Sequence, residues 1–226
     1  MIGGIYLMNK YDIKKLISLK QEGNYWDFKR EWYFQDKKAD LLHDIICMAN
    51  NLVNRDAYII IGVDEENDYS FSSVKSDPNR KNTQQLVDFL REKHFAGGVR
   101  PIVSVENISF GENEIDVIVI HNSNTTPFYL TDHYQSVMAN NIYTRVMDSN
   151  TPKNKSADLS HIELLWKKRF GLLSPPLERM MIYLKKNDLW DSSPGSYEEK
   201  MYYRFSPEFT IENNICLLYT SDAADV

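Results

Sequence analysis

The spacing of hydrophobic residues changes several times along this chain, and each change marks an element. Between Tyr11 and Lys20, the residues Ile13, Leu16, Ile17 and Leu19 recur near helical spacing. Glu22-Gly23-Asn24 breaks that pattern, and from Tyr25 to Trp32 bulky and charged residues alternate as in a strand. Lys37 to Val53 repeats Leu41/Leu42, Ile45/Ile46, Met48/Ala49 and Leu52/Val53 on one side, which predicts an amphipathic helix closed by Asn50, Asn51 and Asn54. Ala57 to Val63 is an unbroken apolar run, the pattern of a strand covered on both faces and therefore interior to its sheet. It ends in acids, Asp64-Glu65-Glu66 with Asp68, followed by a loop to Asn82.

Thr83 to Phe95 predicts a second helix, capped by Asn82 or Thr83 and ended by Gly97-Gly98. Pro101 to Ile108 and Glu114 to Ile120 form a hairpin around Gly111, and Ile142 to Val146 a short strand before the polar turn Asp148 to Asn154. Helices over Asp158–Phe170 and Pro175–Lys186 and a strand-like stretch from Tyr197 to Glu212 complete the pattern. The order predicts an α/β (α+β) fold, a mixed β-sheet flanked by helices. One domain spans 11–170, and 171–215 adds a helix-plus-strand extension.

Composition narrows the function classes. With 42% hydrophobic and 26% charged residues in 226, the chain is of ordinary globular make-up. Its net charge of −6, from 26 basic and 32 acidic residues, is not the global excess of a non-specific nucleic-acid binder. A local excess exists all the same: Lys10, Lys14, Lys15, Lys20, Lys29 and Arg30 crowd the first thirty residues. Cys47 and Cys216 imply no disulfide framework, and no apolar run approaches the ~20 residues of a membrane span, so a cytoplasmic protein without membrane contact is expected. Gly3-Gly4 ahead of Met8 has the look of a ribosome-binding site read as codons, which would make Met8 the start and 1–10 an extension. The last eleven residues, 216–226, look like a translated sequencing adapter, which would leave the 171–215 extension truncated.

Several chemistries lack their residues. There is no glycine-rich phosphate loop ending in Lys-Ser/Thr and no GxGxxG, hence no motif for ATP. His43, His94, His121, His133 and His161 do not fall at metal spacings, and no Gly-x-Ser-x-Gly elbow occurs. What remains is a set of carboxylates and cations. Glu22 precedes a predicted strand, Asp27 and Lys29 lie within it, and Asp64 and Glu65 end the buried strand.

Glu22-Gly-Asn-Tyr-Trp-Asp27-Phe28-Lys29 resembles the Glu-x4-Glu-Phe-Lys signature of the Schlafen AlbA-like domain family, which is described as DNA-binding. Ile46-Cys-Met-Ala-Asn50, Ile60-Ile-Gly-Val63-Asp64-Glu65 and Ile142-Tyr-Thr-Arg145-Val-Met-Asp-Ser-Asn150 are similar to the family's next three motifs, in order. The chain departs from the pattern in carrying Asp27 for the usual Glu and Asn51-Leu-Val-Asn54 for a Gly-Gly pair. The resemblance implies a nucleic-acid-binding module, DNA or RNA, of a prokaryotic regulatory or defence protein, with a homo-oligomer as an option. As an alternative it implies an endoribonuclease dependent on Mg²⁺ or Mn²⁺, with Glu22, Asp27 and Glu65 (or Asp64) as catalytic and metal-binding residues. A non-catalytic protein-interaction module is the second alternative.

Each residue also has a plainer reading. Without a cation, converging carboxylates repel, and one of them is expected to hold a proton. Lys29 and Arg30 are candidates for phosphate contacts; otherwise Asp27 and Lys29 form a same-face strand pair, Glu22 caps a turn, and Asp64–Asp68 is a solvated loop. Arg145 can fork onto a phosphate with Tyr143 stacking a base, or pair with Asp148 or the strand-end acids.

Overall fold

The structure is a computed structural model and describes residues 10–192 and 200–212. The expectations about Met8 and about 216–226 fall outside these residues. The chain divides into two compact units, Met1–Trp166 and Lys167–Val226.

In the first unit, α1 (Lys10–Ser18) precedes β1 (Trp26–Lys29), a 3-10 turn (Gln35–Lys37) and α2 (Lys38–Ala49). Next come β2 (Ala57–Ile61), the small hairpin β3 (Val63–Asp64) and β4 (Ser70–Phe71), and α3 (Thr83–Arg91). The long hairpin β5 (Val103–Phe110) and β6 (Asn113–Ile120) follows, then the short hairpin β7 (Arg145–Val146) and β8 (Ser149–Asn150), and α4 begins at Leu159. The main sheet has the order β1-β2-β6-β5, with β1 parallel to β2 and the other pairs antiparallel. The fold is thus α+β with a mixed sheet, and the apolar run 57–61 is an interior strand.

Side-chain alternation divides the core between the two faces of this sheet. Tyr58, Ile60, Val117 and Val119 meet α1 through Ile13, Leu16 and Ile17. Ala57, Ile59, Ile61, Ile118 and Ile120 meet α2 and α3 on the opposite face. α2 is buried almost all round, ten of its twelve residues being inaccessible, because the loop 121–151 covers the side turned away from the sheet. Asn50 fixes that loop: its amide donates to the carbonyls of Phe128 and Tyr143 and accepts from Phe128 N–H, at 2.7–2.8 Å. α3 begins with a reciprocal capping box between Asn82 and Gln85.

Gly62 separates β2 from β3. Its φ is +106°, and a Cβ there would sit 2.9 Å from the carbonyl of Ser72, so only glycine lets the chain kink and send Asp64 and Glu65 toward the end of β1. The sequence pattern extends the Tyr25–Trp32 strand too far. The chain leaves the sheet after Lys29 because Trp32 and Tyr33 reach separate buried anchors, Asp116 (2.8 Å from the indole N–H) and Asp44 (2.5 Å from the hydroxyl). Likewise only Arg145 and Val146 of the stretch Ile142–Val146 pair as a strand.

The second unit holds α5 (Pro176–Tyr183), β9 (Trp190–Ser192), β10 (Lys200–Tyr203) and β11 (Ser206–Glu212), the strands forming an antiparallel sheet. Met180, Tyr183, Trp190, Tyr203 and Phe209 form its core, with the rings of Tyr183 and Tyr203 stacked 4.1 Å apart. Among the described residues no helix is long and apolar enough to cross a membrane.

Candidate functional site

β1 is an edge strand, and its register decides where the signature residues point. Asp27 pairs with Ile59 and Lys29 with Ile61, so both face α2, while Trp26 and Phe28 face α1. The outer backbone groups of β1 would be left without partners, and residues of the same motif satisfy them. Gly23 N–H donates to the Trp26 carbonyl (3.1 Å), Glu22 Oε1 accepts from Phe28 N–H (3.0 Å), and Lys29 Nζ donates to the Phe28 carbonyl (3.2 Å). Position 23 must be glycine for this turn, since a Cβ would lie 2.3–2.6 Å from the Trp26 indole.

Arg145 enters this edge from the β7–β8 hairpin, its side chain only 1% exposed. It donates to Glu22 Oε2 (2.6 Å), the Gly23 carbonyl (2.8 Å) and Asn150 Oδ1 (3.0 Å), and lies 3.3 Å from Asp27 Oδ1. Lys29 Nζ pairs with the other oxygen of Asp27. Asn150 extends the network by donating to Asp44 Oδ1 (2.8 Å), whose second oxygen receives the Tyr33 hydroxyl.

The two carboxyls are pushed in opposite directions. Burial, and then the hydrogen bond and charge of Asp27, push Glu22 up to about 8 against the opposing pull of Phe28 N–H and Arg145. Burial works to raise Asp27 as well, but the hydrogen bond from Glu22 and the charges of Lys29 and Arg145 bring it below the usual carboxylate range. For Lys29, burial works downward and is outweighed by Asp27 and Asp44, so the ammonium is held more tightly than usual. Asp27 thus lies between Lys29 and Arg145.

Arg145 and Tyr143 correct the expectation of phosphate and base contacts. The guanidinium of Arg145 is buried, and its acidic partners are Glu22 and Asp27 rather than Asp148. Tyr143 is buried, its hydroxyl donating to the Lys153 carbonyl (2.8 Å) and accepting from Met138 N–H (2.9 Å), with its ring against the edge of His43. Arg30 does reach solvent, its side chain 66% exposed and 3.6 Å from Asp64. Asp44 and Asn150 belong to the site without having been singled out; the available signal was a carboxylate within the run 41–49, whose only other polar side chain is His43.

Glu22, Asp27 and Glu65 do not assemble as a cation site. Among the described residues, no three Asp, Glu, His or Cys side chains are grouped so as to hold a metal ion. The oxygens of Glu22 and Asp27 are engaged by Phe28 N–H, Arg145 and Lys29. Glu65 is exposed and takes the hydroxyl of Tyr69; burial, then the Asp27 charge, raises it. A guanidinium stands between the two carboxyls where a divalent ion would have to sit, so the residues as arranged do not fit Mg²⁺ or Mn²⁺.

The family model for Schlafen, AlbA_2 matches residues 22–154, more than half of the chain. This chain belongs to the Schlafen AlbA_2 family. No curated protein matches it. Among solved structures, that of the DIP2311 protein from Corynebacterium diphtheriae is similar, with 18% identity and a TM-score of 0.35. The match covers 57% of this chain and 22% of that one, so the present chain spans about a fifth of that protein's length. The AlbA_2 match begins at Glu22 and runs past Asn150, and so contains the whole Arg145 network. At a coarse level the AlbA_2 module is nucleic-acid related.

Proposed function

We propose that this AlbA_2 module binds the phosphate backbone of nucleic acid in the cytoplasm, through Lys29 and Arg30 at the end of β1, without cutting it. The observation that supports this reading most directly is the Arg145 network. Glu22 and Asp27 serve to hold the edge strand in place; Asp27 takes one donor of Lys29, whose side chain stays 32% exposed, and Arg30 stands beside it in solvent. A lysine and an arginine at a strand end contribute point-charge and forked contacts that carry no sequence information.

The test is fluorescence anisotropy with labelled DNA and RNA oligonucleotides between 50 and 200 mM salt, with Mg²⁺ and with chelator. Affinity should fall steeply with salt, because each phosphate contact releases counterions, and Arg30→Glu should weaken binding to every sequence alike. Chelator should change nothing. Affinity that ignores salt would overturn the reading. RNA cleavage that needs Mg²⁺ or Mn²⁺ and disappears in Glu22→Gln and Asp27→Asn would replace it with the ribonuclease.

A further inference from the structure

Beside the end of β1 lies a cleft of about 480 Å³, within the ~300–1,000 Å³ range of small-ligand sites. Three consecutive aromatics, Trp32, Tyr33 and Phe34, line it, and they are used differently. The polar atoms of Trp32 and Tyr33 are committed to Asp116 and Asp44, and both rings are buried. Phe34 has no polar atom to anchor and stands 48% exposed in a cleft whose other walls are mostly charged. An apolar ring in that position contributes little to the core and presents a face to whatever enters.

Four cations (Lys29, Arg30, Lys37 and Lys153) and three carboxylates (Glu31, Asp40 and Asp44) line the cleft with Phe34. Lys37 and Arg30 stand at the cleft with side chains 57% and 66% exposed, and their acidic partners, Asp40 and Asp64, are distant at 4.0 and 3.6 Å. Lys153 pairs closely with Asp40, so that carboxylate is already neutralised and leaves Lys37 free to take another anion. An aromatic face flanked by two loosely held cations matches a base with the phosphates on either side of it.

We infer that this cleft takes one unpaired base of a single-stranded segment, stacked on Phe34, with the flanking phosphates on Arg30 and Lys37. The inference rests on the nucleic-acid reading above and sharpens it: the preferred partner is single-stranded, because a base held in a duplex cannot leave its stack without a cost of a few kcal/mol.

The experiment compares a labelled twelve-residue oligothymidylate with the same strand in a duplex, using the whole chain. The wild type should bind the single strand more tightly. Phe34→Ala should lose about tenfold on the single strand and little on the duplex, while Phe34→Trp should restore the preference. Lys37→Glu should weaken single-strand binding as well, and because both positions are exposed, the melting temperature should stay unchanged. Ultraviolet crosslinking should place the thymine adduct on Phe34. Single-strand binding that is unchanged in both Phe34→Ala and Lys37→Glu, or an adduct found only outside the cleft, overturns the inference and leaves the phosphate-binding reading intact. Failure of the wild type to bind either probe overturns both.

Discussion

Two arginine–carboxylate centres lie on the same face of the main sheet, and they are built on different terms. Asp116 pairs with Ile61 across β6 and β2, in the row that also contains Lys29, while Asp27 lies one row pair away opposite Ile59. Arg80 forks onto the two oxygens of Asp116 at 2.7 and 2.8 Å and touches Glu114 at 3.1 Å. The Trp32 indole N–H and Asn107 complete the carboxylate's partners. At that centre Arg80 bridges the buried Asp116 and the partly exposed Glu114, and the indole and the amide supply the remaining donors to Asp116. At the Arg145 centre the guanidinium and Lys29 both hold Asp27, and burial beside that carboxylate pushes Glu22 up to about 8. The first arrangement reaches solvent through Arg80 and Glu114. The second is held together by a titratable group within reach of physiological pH.

The comparison is tested most severely by removing each arginine. Arg145→Ala leaves Asp27 and Glu22 buried against each other and should destabilise the first unit by about 3–5 kcal/mol in chemical denaturation. Arg80 is 30% exposed and leaves Asp116 with its other donors, so Arg80→Ala should cost only about 1–3 kcal/mol. Equal losses would erase the distinction.

A second test is the pH profile. Glu22 binds its proton in the folded state up to about 8 but only up to 4.5 when unfolded. Its contribution is therefore fully present below pH 4.5 and is lost as pH rises toward 8, where the folded state must release that proton. Melting temperatures measured across this window should decline with pH. Glu22→Gln, which imitates the neutral form, should flatten the decline, and Arg80→Ala should keep it. The smallest effects concern the amides. Asn150→Ala breaks the link between Arg145 and Asp44 and should cost about 1–3 kcal/mol, whereas Asn107→Ala removes one of several donors at an exposed position and should cost about 0.5–1 kcal/mol.

The sheet's interior strand was readable from sequence because Ile59, Ile60 and Ile61 must be covered on both sides whatever their neighbours are. The start of the second helix was readable to within one residue, Asn82 or Thr83, because an N-cap acts on its own helix, and the cap is Asn82. The Arg145 site was only half readable. Glu22, Asp27 and Lys29 stand together in a short motif, but the residue that binds the two carboxyls lies 123 positions from Glu22, and local reasoning offered it Asp148 or the strand-end acids instead. Tyr143 shows the same limit. An aromatic beside a charge can be a platform or a wall, and the choice depends on whether its polar atom finds a buried partner, here the Lys153 carbonyl.

The long reach from Glu22 to Arg145 also has a consequence for the order in which the chain can fold during its own synthesis. At about 5–20 residues per second, the ribosome needs on the order of 6–25 s to add the 123 residues that separate them. Throughout that interval β1 has emerged without the guanidinium that neutralises its carboxyls and closes its edge. The nascent domain is thus committed to waiting for its own last hairpin, and a chaperone that shields the first thirty residues would act in that interval.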